Sequence, residues 1–176
     1  MPKPVKFFTN GRGFNFLPDF WERLPTGDRP LTDSIPYTAA NNFVCFWRYY
    51  DPTAIEQQIQ TLRGAGINNL RIWNHYYVYE NFKTEPEATN YYYNNLRHLV
   101  KTLENNCMYA IWVFFDGLLV FPEPTVGSEY NDVSGWRYYP SQALGQNPAF
   151  MDNSGAPYLS SICKIVSGSQ STIGYE

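Results

Sequence analysis

At 176 residues the chain has the length of one ordinary domain, enough to bury a real core. Its 13 basic and 16 acidic residues leave a net charge of -3, which points to no polyanionic partner, and Lys3 and Lys6 at the start are too few for a nucleic-acid surface. Aromatic residues reach 18%, with 15 Tyr and 5 Trp; at that density some are core, and others suit surfaces where one edge is wet and one face packs on an apolar or sugar ring.

The opening "MPKPVKFF" has no apolar run of the kind that leads a secreted chain, no stretch is long enough to span a bilayer, and localisation stays open. "GRGFNFLPDFW" contains a short strand, Phe14 to Leu17, closed by Pro18, and a Pro-, Thr- and Asp-rich loop runs on to about residue 42. In "YYDPTAIEQQIQTLRGAGI", Asp51 can cap a helix and Pro52 suits its first position. Ile55, Ile59 and Leu62 recur at helical spacing, and Gly64 and Gly66 stop the helix. A strand follows at once from Ile67 through Ile72.

The pattern then repeats. Tyr92, Leu96, Leu99, Val100 and Leu103 form a second helical stripe that ends at Asn105 and Asn106, and "MYAIWVFFDG" reads as a strand buried on both faces. A polar loop over roughly 117 to 154 precedes a third helix marked by Tyr158, Leu159, Ile162, Ile165 and Val166, and "STIGYE" begins a fourth strand. Strands alternating with helices predict a parallel α/β fold of about four strands with three helices. On grammar alone, half of a (β/α)8 barrel and a small doubly wound domain are equally good readings. "NGRGFN" is a poor phosphate-binding turn, because its glycines precede the strand.

Polar residues gather at the carboxyl ends of the strands, where parallel folds bind ligands: Asn15, then Arg71, Asn74 and His75, then Asp116. Trp47, Trp73, Trp112, Phe115, Tyr76 and Tyr77 lie close in sequence. Amides and carboxylates for hydroxyls, with flat rings for C–H faces, suit a neutral, hydroxyl-rich ligand. Each residue also has a plain structural use: Arg71 can pair with a buried carboxylate such as Asp116, His75 can be a hydrogen-bonded structural histidine, and Asp116 before Gly117 can be a turn residue. With two histidines and three cysteines (Cys45, Cys107, Cys163) lacking metal-type spacing, no zinc site or disulfide framework is expected, and the thiols read as buried and free. No G-x-S-x-G motif marks a hydrolytic serine.

Three stretches, "GFNFLPDFW", "NNFVCFWRYYDPTAIEQQIQTLRGAGINNLRIWNHYYVYE" and "LRHLVKTLENNCMYAIWVFFDG", resemble the first three βα units of cellulase-like, family-5-like glycoside hydrolases, members of the retaining (β/α)8-barrel superfamily. The likeness covers roughly residues 11 to 117, and its most specific elements are the Asp-Pro helix start, the "G-I-N-x-L-R-I-W" strand and the "F-D" strand end. The resemblance implies that residues 1–176 are the N-terminal half of a TIM (β/α)8 barrel, ending near the start of strand four. It implies a retaining mechanism on a β-linked mannan- or glucan-type sugar, in which one glutamate protonates the leaving oxygen and another attacks the anomeric carbon from about 5 Å away. It places Arg71 beneath the nucleophile and Asp116 at the end of strand three, and makes Arg71, Asn74, His75, Asp116, Trp47, Trp73 and Tyr76 the expected substrate contacts. Many relatives carry a His two residues past that acid, where this chain has Leu118.

No Asn-Glu dipeptide occurs, so the family's Asn-Glu-Pro acid/base motif is expected beyond Glu176, Glu176 is not assigned the acid role, and no catalytic residue is expected within the chain. The chain alone is then expected to be inactive, to need no cofactor or metal, to take a carbohydrate rather than a nucleic acid or a membrane as partner, and to self-associate through open sheet edges. Two other readings are a non-catalytic carbohydrate-binding half-barrel and a small doubly wound cofactor-binding domain.

Overall fold

A computed structural model describes residues 12–16, 46–47, 50–74, 76, 79, 86–115 and 147–176. Four strands, β1 (Gly13–Phe16), β2 (Asn69–Trp73), β3 (Tyr109–Val113) and β4 (Thr172–Tyr175), form one sheet in the order β1-β2-β3-β4, with every neighbouring pair parallel. Helix α1 (Pro52–Gly64) lies between β1 and β2 in the chain, α2 (Pro86–Asn105) between β2 and β3, and α3 (Ala156–Val166) between β3 and β4.

Strand order separates the two architectures that the sequence left equal. A doubly wound sheet reverses direction at a switch point, whereas successive strands of a (β/α)8 barrel are added on the same side. This α/β sheet is strictly sequential, the order of one half of a TIM barrel.

The elements form for local reasons that the sequence states well. Asp51 caps α1, its Oδ1 accepting from the backbone N–H groups of Thr53 at 2.9 Å and Ala54 at 3.2 Å, with Pro52 in the first turn. Gly66, at φ 83°, supplies the left-handed residue that turns the chain from α1 into β2. Asp51→Ala is expected to cost about 1 kcal/mol, read as a lower denaturant midpoint at unchanged slope.

The apolar stripes face the sheet. Ile55 and Ile59 of α1, Tyr92, Leu96, Leu99 and Leu103 of α2, and Tyr158, Ile162 and Val166 of α3 are buried against Leu70, Ile72, Ala110 and Trp112. Trp112 Nε1 donates to Thr172 Oγ1 at 3.0 Å, and that hydroxyl donates to the Val166 carbonyl at 2.6 Å, joining β3, β4 and α3. Between α1 and α2, Tyr50 Oη lies 2.8 Å from His98 Nδ1, and His98 Nε2 lies 3.0 Å from Glu56 Oε1. Burial, then the Glu56 charge, drives the Tyr50 hydroxyl far above its ordinary pKa. The hydroxyl therefore stays protonated and donates, which fits the His98 tautomer carrying its proton on Nε2 toward Glu56.

Three expectations are corrected. The end of the stretch assigned to a loop, 147–154, instead belongs to a short helix (Pro148–Phe150) capped by Asn147 and a π-helical turn (Met151–Gly155) that runs directly into α3. β3 is not covered on both faces, since Tyr109 and Ile111 are only partly buried. Cys107 is exposed and Cys163 partly exposed rather than buried; both are free, and Cys45 lies outside the described residues. Among the described residues no helix is long and apolar enough to cross a membrane.

Candidate binding site at the carboxyl ends of the strands

Successive residues of a strand point to opposite faces, so the cluster around β2 cannot form one surface. Arg71 and Trp73 lie on the face away from the helices, while Leu70, Ile72 and Asn74 turn toward them. Asn15, Arg71, Ile111 and Gly174 share one row across the sheet, and Trp73 and Val113 share the next row toward the carboxyl end. Glu176, two residues past Gly174, joins that second row. Its backbone extends the ladder, with its N–H donating to the Trp112 carbonyl at 2.8 Å and its carbonyl accepting from Phe114 N–H at 2.9 Å.

Arg71 reaches diagonally to this residue. Its Nε donates to Glu176 Oε2 at 2.7 Å and its Nη2 to Oε1 at 2.6 Å, the two-point fork that guanidinium and carboxylate geometry favours. The guanidinium carbon also sits 4.4 Å above the Trp73 ring, so the ring beneath and the carboxylate ahead fix its orientation. The pair is partly wet, with side chains 32% and 51% exposed, and Asn15 beside it is exposed. The structure thus gives Arg71 the carboxylate of Glu176, where the sequence offered Asp116 as an example of a partner.

Arg71 sets the chemistry of Glu176. Its hydrogen bonds hold the carboxyl below the ordinary value of 4.5, opposed only in part by desolvation. Held ionised in this way, the carboxylate accepts hydrogen bonds. Because the folded pKa is the depressed one, the pair's contribution is complete above 4.5, declines as pH falls through that value, and is gone below the folded pKa. Glu176 carboxyl resonances followed by NMR are expected to titrate below the usual glutamate range in the native chain, and at the usual value once Arg71 is replaced by Met.

Three of the expected contacts belong to the packed layer instead. Asn74 is fully buried; its side-chain oxygen accepts from the Tyr92 hydroxyl and its carbonyl from the Tyr158 hydroxyl, tying the end of β2 to α2 and α3. Burial raises the pKa of both tyrosines well above the ordinary value, so both remain donors. Among the described residues Asn74 Nδ2 has no hydrogen-bond partner, a cost accepted at this junction. Tyr76 packs against Tyr158, Phe150, Phe115 and Tyr79. Trp47 stacks on Tyr50, meets Tyr92 edge-on and donates from Nε1 to the Trp73 carbonyl at 3.4 Å. Buried rings need buried neighbours, and here the neighbours are other rings. Expected substrate contacts His75 and Asp116 lie outside the described residues.

Asn15, Arg71, Trp73 and Glu176 lie together on the face away from the helices, with Trp73 itself buried beneath the Arg71 guanidinium. Neither Asn15, noted only as a polar strand-end residue, nor Glu176 was among the expected contacts, although the parity of Glu176 with Gly174 along β4 is a readable signal. Among the described residues no cluster of His, Cys, Asp and Glu could hold a metal ion.

No family model matches the chain, and no curated protein does. Among solved structures, a GH5_18 from Bifidobacterium longum subsp. infantis is similar, with a TM-score of 0.49 and 13% identity. The match covers 80% of this chain and 31% of that one, so the chain spans about a third of its length.

Proposed function

We propose that the strand ends bind a hydroxyl-rich carbohydrate, and that residues 1–176 are the N-terminal half-barrel of a retaining, family-5-like glycoside hydrolase. One observation carries the reading: Arg71, in a strand that spells the "G-I-N-x-L-R-I-W" pattern, is held rigidly at the open carboxyl end of a sequential parallel sheet. A guanidinium neutralised by Glu176 and backed by Trp73 suits neutral hydroxyls better than a charged ligand. The Glu176 oxygens keep lone pairs to accept, and Asn15 offers both a donor and an acceptor. A β-linked glucan or mannan is the substrate class.

Hydrolysis by the retaining route needs two carboxyls about 5 Å apart. At the strand ends described here the carboxylate is Glu176, and it is held ionised in a salt bridge. On this reading the described strand ends bind the sugar without cleaving it. Incubation of the 176-residue chain with aryl β-glucosides and β-mannosides tests this: no turnover is expected, and turnover above the buffer rate refutes it.

A further inference from the structure

In the helix layer, α2 and α3 pack side by side and leave a groove of about 420 Å³ between them. Tyr93 and Arg97 line it from α2, and Ser161, Lys164 and Ile165 line it from α3. The spacings, four residues on α2 and three and four on α3, place each set on one stripe of its helix, so the groove is built from regular structure. Nearby on the same layer Lys101 pairs with Glu104. In the groove, Arg97 and Lys164 are exposed, and among the described residues no carboxylate lines the wall; Arg97 Nη1 donates to the neutral side chain of Asn94 at 3.0 Å. Two cations from different helices thus face one space in a chain whose net charge is negative.

The other three residues restrict what an anion there can be. Ser161 already donates its proton to the Pro157 carbonyl at 2.8 Å, so its oxygen faces a ligand as an acceptor, which suits a ligand hydroxyl. Tyr93 and Ile165 supply flat and apolar wall for C–H groups. The volume is within the range of small-molecule sites. We propose that this groove is a second site, for an acidic sugar: one ring bearing hydroxyls and a single carboxylate or phosphate held by Arg97 and Lys164. It neither depends on the site at the strand ends nor shares a residue with it.

The test is an amide and side-chain NMR titration of the full 176-residue chain with glucuronate, glucose 6-phosphate, glucose and inorganic phosphate, each at equal ionic strength. At least one acidic sugar is expected to shift the resonances of Tyr93, Arg97, Ser161 and Lys164 saturably, glucose at the same concentration is expected to leave them in place, and the tighter of the two acids identifies the anion. Lys164→Glu is expected to weaken that binding about tenfold or more, with Arg97→Gln as a second variant, both leaving the remaining spectrum unchanged because these side chains are exposed. Equal response to glucose, no effect of either substitution, or inorganic phosphate binding as tightly as the acidic sugars overturns the proposal.

Discussion

Trp112→Ala is expected to remove about 3–5 kcal/mol of stability, a large part of what a domain of this size possesses. The side chain is 0% exposed and sits at the centre of the helix-facing side of β3, among residues contributed by the helices and by β2. Alanine leaves a cavity that backbone fixed in a sheet cannot collapse to fill. It also removes the indole N–H bonded to Thr172 Oγ1, while that hydroxyl keeps its own bond to Val166. Trp112→Phe isolates the second effect and is expected to cost distinctly less, about 1–2 kcal/mol. Urea unfolding of the three chains reads both values; a loss below about 1 kcal/mol for alanine places Trp112 outside the core.

The second large effect is on binding. Arg71→Met keeps an unbranched side chain that can still pass over Trp73, and removes the charge and every N–H. Stability is expected to fall by less than about 1 kcal/mol, because Glu176 is half exposed and water replaces the guanidinium. Affinity for a β-linked oligosaccharide is expected to fall about tenfold or more, since the guanidinium and the anchor of Glu176 are lost together. Arg71→Lys retains charge without the fork and is expected to recover only a small part of the loss. Calorimetric titration of the three chains with one tetrasaccharide separates this from a purely structural role, in which stability falls and affinity does not.

Much of the fold is written in local chemistry. Asp51-Pro52, the α2 stripe from Tyr92 to Leu103 and the all-apolar run in β3 each specify an element without tertiary help, and the structure places those elements where the sequence did. The segment 147–154 was misread because its polar composition resembles a loop, while the capping side chain of Asn147 and the following Pro148 start a helix there. The site was less legible. Proximity in sequence grouped Trp73, Asn74 and Tyr76, whereas strand alternation sends Trp73 to one face and Asn74 to the other. Trp47 and Tyr76 were offered to a ligand because aromatic rings serve sugars and cores equally well, and composition does not say which. Glu176 needed the register of β4 against β3, including its shift between Ala110 and Ile111, which no local pattern encodes.

A nitrogen-amide and indole NMR titration of the 176-residue chain with a β-1,4-linked tetrasaccharide of glucose or mannose tests the central claim most directly. Saturable shifts are predicted at Asn15, Arg71, Trp73 and Glu176, absent from Arg97 and Lys164, and abolished by Arg71→Met. An unshifted spectrum at about 10 mM sugar, or tight binding of a nucleotide or flavin at the same strand ends, contradicts it.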